Sequence, residues 1–140
     1  MTEASWALQR GIYQALVNSP ELTTLLGGDR IYSDAPQEAE FPHITLGQTV
    51  NWDWSTGTED GLEHSLTLHV WSRAGSSVEV HEIIQVIRML LHNQPLTLED
   101  HYLINLRHEF TEARLDADRE TLHGIVRYRA VTEPAQQVAA

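Results

Sequence analysis

The sequence predicts an α+β domain of two layers: a mostly antiparallel sheet with helices packed on one face and a long hairpin protruding from it. Three observations predict it. Apolar residues recur at helical spacing near the start of the chain and again in its middle. Between and after those stretches the apolar pattern switches to period two. The resulting order is helix, helix, hairpin, helix, hairpin, which gathers helices on one side of antiparallel strands.

Residues 4–17 read as the first helix, with Leu8, Ile12, Ala15 and Leu16 on one face. Ser19-Pro20-Glu21 starts a second, short helix. Serine can cap, proline suits the first helical position, and glutamate complements the helix dipole. Gly27-Gly28 stops it, because glycine takes the left-handed cap. Arg30-Ile31-Tyr32 is a short extended piece, followed by a loop with Pro36 and Pro42. From His43 to about Trp52 the pattern is period two, with Ile44, Leu46, Val50 and Trp52 on one face. Residues 53–61 are polar and turn-rich. Leu62, Leu66, Leu68 and Val70 then alternate with Glu63, Ser65, Thr67, His69 and Trp71. These two strands read as the long antiparallel hairpin.

Ser76 with Glu79 forms a capping-box pattern. The helix it opens runs to about His92, with Val80, Ile83, Ile84, Ile87, Leu90 and Leu91 on one broad stripe. Asn93-Gln94-Pro95 ends it, and Leu96 to Leu98 read as a short strand. Tyr102, Ile104, Leu106 and Phe110 mark a long strand, and residues 116–120 a turn. A final strand, about Gly124 to Thr132, places Val126, Tyr128 and Ala130 on one face. Residues 1–132 thus form a single domain, and residues 133–140 a flexible tail.

A chain of 140 residues predicts one domain. At that size folding buries about two thirds of the unfolded surface, so no staple is needed. There is no cysteine, which excludes disulfides and thiolate metal sites. No apolar run approaches the ~20 residues that span a bilayer, and the first residues lack a signal-peptide pattern. A secreted or membrane-bound destination is therefore not expected. The formal charge of −11 argues against a general nucleic-acid binder. All nine basic residues are Arg. Two readings of that stand: Arg is favoured at protein interfaces, and a GC-rich genome favours its codons.

Catalytic patterns fail one by one. His81-Glu82-Ile83-Ile84-Gln85 approaches a zinc-protease motif, but glutamine holds the second ligand position. His64 and His69 lie five apart in a strand, so their side chains leave opposite faces. No Ser sits in a Gly-x-Ser-x-Gly elbow. Asp116, Asp118 and Glu120 lack the late glutamate of a calcium loop, and Gly27-Gly28 lacks the Lys of a phosphate loop. No enzyme activity, catalytic residue, metal or cofactor is expected. An enzymatic alternative, a small His/carboxylate hydrolase, requires two of His64, His81, His101, His108 and His123 to converge.

Two features point to interaction. Trp52-Asp53-Trp54 stands at the mouth of the hairpin, and the two rings point to opposite faces if the strand continues. An exposed Trp there is an interface anchor; the other reading packs both rings on the domain. The second is the sheet face away from the helices. It carries Glu63, Thr67, His69, Trp71, Arg107, Glu109, Arg127 and Arg129, with Val131. That face reads either as an interface or as a solvated surface, which is common for antiparallel sheets.

Several phrases in order resemble the phage tail-completion, or tail terminator, family. They are Leu26-Gly27-Gly28-Asp29-Arg30-Ile31-Tyr32 and Pro42-His43-Ile44-Thr45-Leu46-Gly47. They continue with Leu66-Thr67-Leu68-His69-Val70-Trp71-Ser72 and His123-Gly124-Ile125-Val126-Arg127-Tyr128-Arg129-Ala130. The resemblance spans about residues 8–132. It implies a structural protein of a phage, prophage or gene transfer agent, assembled in the bacterial cytoplasm and located in the tail or neck of the virion. It also implies a homohexameric ring that ends the tail tube and joins it to the head connector. Its implied partners are further copies of itself, the tail tube protein and the connector, with DNA passing through unread and no membrane contact. The interface expected on this reading draws on Trp52, Asp53, Trp54, Trp71, Arg107, Arg127 and Arg129. The nearest alternative is another neck protein, a head-completion adaptor or a stopper.

Overall fold

The computed structural model describes residues 2–57 and 60–135. Helix α1 (Ala4–Val17) buries Ala4, Ala7, Leu8, Ile12 and Leu16. Its first turn is closed by the Glu3 carboxylate, which accepts from the Ser5 and Trp6 amides. Helix α2 (Pro20–Leu26) follows the expected chemistry at both ends. Ser19 Oγ accepts from the Leu22 amide at 3.2 Å, and Gly27 closes the helix at φ 82°. Proline at the first position loses no hydrogen bond, and glycine takes the positive φ without Cβ strain.

Among the described residues five strands form one sheet in the order β1-β2-β3-β5-β4. They are β1 (Ile31–Tyr32), β2 (His43–Asp53), β3 (Leu62–Ser72), β4 (His101–Leu115) and β5 (Leu122–Pro134). Only β1 and β2 pair in parallel; the other neighbours are antiparallel. Helix α3 (Val78–Leu91) connects β3 to β4 and buries Val80, Ile83, Ile84, Val86, Ile87 and Leu91. These side chains share one core with Leu8, Ile12, Leu68, Val70, Val126 and Tyr128. Burying each of the larger ones is worth about 1.5–3 kcal/mol, so packing on the sheet holds α3 in place. Gly124 sets the closeness of that packing. A Cβ there would lie 2.9 Å from Val80 Cγ1 and 3.0 Å from Ile84 Cδ1.

The α+β class and the element order are as the sequence predicts, but five details differ. The hairpin does not stand off the sheet. β2 and β3 pair from His43↔Trp71 to Asp53↔Leu62, and β5 takes the other side of β3 from Leu62↔Thr132 to Ser72↔Leu122. The face of β2 also changes partway. A register shift between Leu46 and Thr49 keeps Ile44 and Leu46 in the core and turns Val50 and Trp52 to the opposite face. An extra residue in one strand reverses the alternation beyond it. The capping box does not form, because Ser77 occupies the cap position without a side-chain bond and Glu79 Oε1 instead accepts from Ser72 Oγ at 2.7 Å. The short strand at Leu96–Leu98 reduces to a single bridge, Thr97↔Tyr102. Finally, β5 runs to Pro134, past the expected start of the tail at 133. The remaining tail residues 136–140 lie outside the described residues.

The β2 bulge gives a direct prediction. A Cβ on Gly47 would meet His69 Nε2 at 2.6 Å and the Thr67 backbone oxygen at 2.9 Å. A backbone oxygen held by the sheet has no room to retreat. Gly47→Ala is therefore expected to lower stability by about 1–3 kcal/mol. Urea unfolding of the variant measures it, and an unchanged midpoint contradicts the steric argument.

Candidate assembly surface

Among the described residues no helix lies on the second face of the sheet; the core residues of α1, α2 and α3 all pack on the first. Cross-strand partners share a face, so the register lays out the second face row by row. One row is Trp52, Glu63, Val131 and Asn105. The next are Ser65, Arg129 and Arg107, then Thr67, Arg127 and Phe110. The last are His69, Ile125 and Glu112, then Trp71, His123 and Arg114.

The end near Trp52 is ionic with apolar neighbours. Arg129 reaches Glu63 at 3.3 Å and Glu109 at 3.0 Å. Each such half-exposed pair adds little stability, typically under ~1 kcal/mol, but together they orient one guanidinium between two strands. Arg127 lies 5.2 Å over the Phe110 ring, a cation–π contact. Arg107 forms no ion pair among the described residues. Of the three arginines expected near Glu63 and Glu109, only Arg129 binds them.

The other end is aromatic. Trp71 and His123 stack with centroids 3.8 Å apart at 11°, and His69 Nδ1 lies 2.7 Å from His123 Nε2. The Trp71 indole N–H donates to Thr45 Oγ1 at 3.0 Å. Burial pushes His43, His69 and His123 below the ordinary histidine range, which favours neutral rings at pH 7. Two neutral imidazoles bond when one donates N–H to the bare nitrogen of the other. The stack supplies a flat, rigid surface.

The tryptophans at the hairpin mouth divide differently from the expectation. Trp52 is 47 % exposed on the second face. Trp54 is 51 % exposed and lies beyond the end of β2, so strand alternation no longer directs it. Neither ring is core. Asp53 shapes the turn: its carboxylate accepts from the Ser55 amide at 3.0 Å and the Ser55 hydroxyl at 2.6 Å. Those two bonds hold its carboxyl below the usual range.

Charge is unevenly placed. The second face carries Arg107, Arg114, Arg127 and Arg129 against Glu63, Glu109, Glu112 and Glu133, four of each sign. The face is balanced, so the whole formal charge of −11 resides on the rest of the chain. The sequence alone missed the pairing of His69 with His123, 54 positions apart; only the β3–β5 register brings them together.

The histidines of the enzymatic alternative have separate hydrogen-bond partners, although the His101 charge is felt at His64. His64 faces the core, with Nε2 2.8 Å from Thr132 Oγ1. His101 bonds the Thr2 carbonyl, and His108 meets Thr111. Among the described residues no group of three or more His, Asp or Glu side chains is arranged to hold a metal ion. No described helix is long and apolar enough to cross a membrane.

A family model described as tail completion protein gp17 matches residues 10–133. A chain in a solved structure titled "Virion of native gene transfer agent (GTA) particle" superposes with a TM-score of 0.86 at 22% sequence identity. The match covers 95% of this chain and 99% of that one. At that identity the likeness is one of fold. No curated protein matches.

Proposed function

Because this chain belongs to the tail completion protein gp17 family, matched over residues 10–133, we propose that it ends the tail tube of a phage or phage-like particle and joins it to the head. It is a structural protein of the tail. In this role six like copies form a ring seated between the tube protein and the head connector. The observation that carries the self-assembly part is the sheet face free of helices, where four Arg balance four Glu.

Like copies of net charge −11 repel one another, most strongly at close range. A contact between them is least opposed where the charge is locally balanced. The uncovered face meets that condition, and it offers half-exposed Trp52 beside the Arg129 ion pairs. Aromatic and Arg side chains are the residues that anchor interfaces. The acid elsewhere suits a particle through which DNA passes, because carboxylates facing a bore repel the phosphate backbone.

The test is genetic and direct. Removing this chain from a particle-producing cell is expected to leave tailless heads and overlong tubes. Leaking heads with tubes of normal length would assign the stopper position, and normal particles would overturn the tail role. A smaller prediction concerns the face itself. Ser65→Glu with Thr67→Glu sets two carboxylates on it while leaving the core untouched. That variant is expected to fold with an unchanged melting temperature and to fail in complementing the deletion; full complementation excludes the face from assembly.

A further inference from the structure

The helical layer carries a groove of about 850 Å³ between α2 and α3. Leu25, Val78 and Val86 give it apolar walls, and Glu21, Glu82 and Gln85 line it as well. Val78 is 59 % exposed, an unusual position for a β-branched apolar residue in the first turn of the main core helix. Among the described residues no Arg lines the groove. Glu21 and Glu82 make no ion pair among the described residues. An apolar slot flanked by two unpaired carboxylates fits an apolar side chain with cations on either side.

The same chain displays that complement on its opposite layer. Phe110 is 37 % exposed on the sheet face, with the Arg127 guanidinium over its ring. Arg107 stands opposite Arg129 in the register, one row from Phe110, and it too lacks an ion pair among the described residues. Arg107 and Arg127 are opposite in sign to Glu21 and Glu82, and Phe110 matches the apolar Leu25, Val78 and Val86. His81 also lines the groove, and Glu109 and Glu112 flank Phe110 on its own strand.

We propose that the α2–α3 groove receives the Phe110 patch of a second copy, with Arg107 and Arg127 placed against Glu21 and Glu82. This rests on the self-assembly reading above and names the surface that answers the sheet face. Donor patch and groove are different surfaces, so the contact is head-to-tail. Such a contact propagates, and it closes into a ring when the rotation per subunit divides a full turn. A face-to-face dimer has no such capacity.

Charge reversal tests it on the full-length protein, with size measured by sedimentation across a concentration series. Glu21→Arg with Glu82→Arg is expected to weaken association more than about tenfold, because like charges then face each other. Arg107→Glu with Arg127→Glu is expected to do the same. Mixing these two variants in equal amounts restores matching signs at every head-to-tail contact, so association returns and the species alternate. Circular dichroism checks that each variant folds. Two outcomes overturn the inference while leaving self-assembly standing: either variant associating as the wild type does, or the mixture failing to recover. A wild type that stays monomeric at every concentration overturns both this contact and the self-assembly reading, and leaves family membership untouched.

Discussion

Tyr128→Ala is expected to destabilise the domain by about 3–5 kcal/mol, the range for truncating a large buried aromatic. Tyr128 is fully buried in the middle of β5, the strand flanked on both sides by long partners. It pairs with Leu66 on β3 and His108 on β4, and its ring meets the His108 ring edge-on at 5.6 Å. Removing it opens a cavity beneath α3 that the rigid sheet cannot collapse to fill. The companion variant separates ring from hydroxyl. Tyr128 Oη is buried and has no hydrogen-bond partner among the described residues. Burial also pushes its phenol well above the usual range, so the group stays protonated. An unsatisfied buried hydroxyl is a cost that phenylalanine lacks. Tyr128→Phe is therefore expected to be neutral or stabilising by up to about 1 kcal/mol. Denaturant unfolding of both variants checks the pair, and a loss in Tyr128→Phe similar to that in Tyr128→Ala would mean the hydroxyl has a partner.

Most of the fold was legible because local chemistry and the global pattern agree. Ser19, Pro20 and Gly27 each carry a backbone reason for their place, and α2 starts and stops on them. The alternation in residues 62–71 survives intact because β3 sits between two strands that fix its register. The departures from strand alternation have a common physical source. Val50 and Trp52 continue the apolar alternation of β2 on paper, yet the register shift after Leu46 sends them to the other face. Two further shifts, at Leu103/Asn105 and His108/Phe110, break the alternation along β4 and leave Ile104 and Phe110 exposed, while Leu106 between them is buried. A bulge adds one residue and leaves almost no trace in composition. The predicted capping box failed for a different reason. Ser72, seven residues upstream at the end of β3, takes the Glu79 carboxylate instead.

The candidate surface was legible in membership but not in arrangement. Arg107, Arg127, Arg129, Glu63 and Trp71 all fall on the face expected for them. Which cation meets which carboxylate depends on the bulge at Glu109, which carries that side chain to Arg129 at 3.0 Å. The charge balance of the face likewise follows only from strand order. In sequence, Arg107 and Arg129 are far apart; in the sheet they are directly opposed.

Acid is expected to loosen the domain before its carboxylates titrate. Burial is the leading cause that lowers His43, His64, His69, His108 and His123 from the unfolded value of 6.5. Each binds its proton less readily folded than unfolded. The stability linked to them is fully present above that value and drains away as pH falls below it toward the depressed folded values. Asp53, Asp100 and Asp118 are also lowered, Asp118 to about 2, from an unfolded value of 3.8. Their contribution persists until pH falls below ~4. A window from about pH 5 to about pH 6.5 thus isolates the imidazoles. Urea midpoints are expected to fall between about pH 7.5 and about pH 5, and equal midpoints would sink the argument. His64→Phe should shrink the drop, since His64 is fully buried and its charged ring would carry an Nδ1–H that finds no partner among the described residues. The sheet face offers a second readout in the same window. One proton shared by His69 and His123 keeps their 2.7 Å contact, but a second makes both rings donors and forces them apart. The Trp71 stack on His123 should move with them. A change in tryptophan fluorescence below pH 6.5 that is absent in His69→Gln would therefore place protonation at the face proposed to meet a second copy.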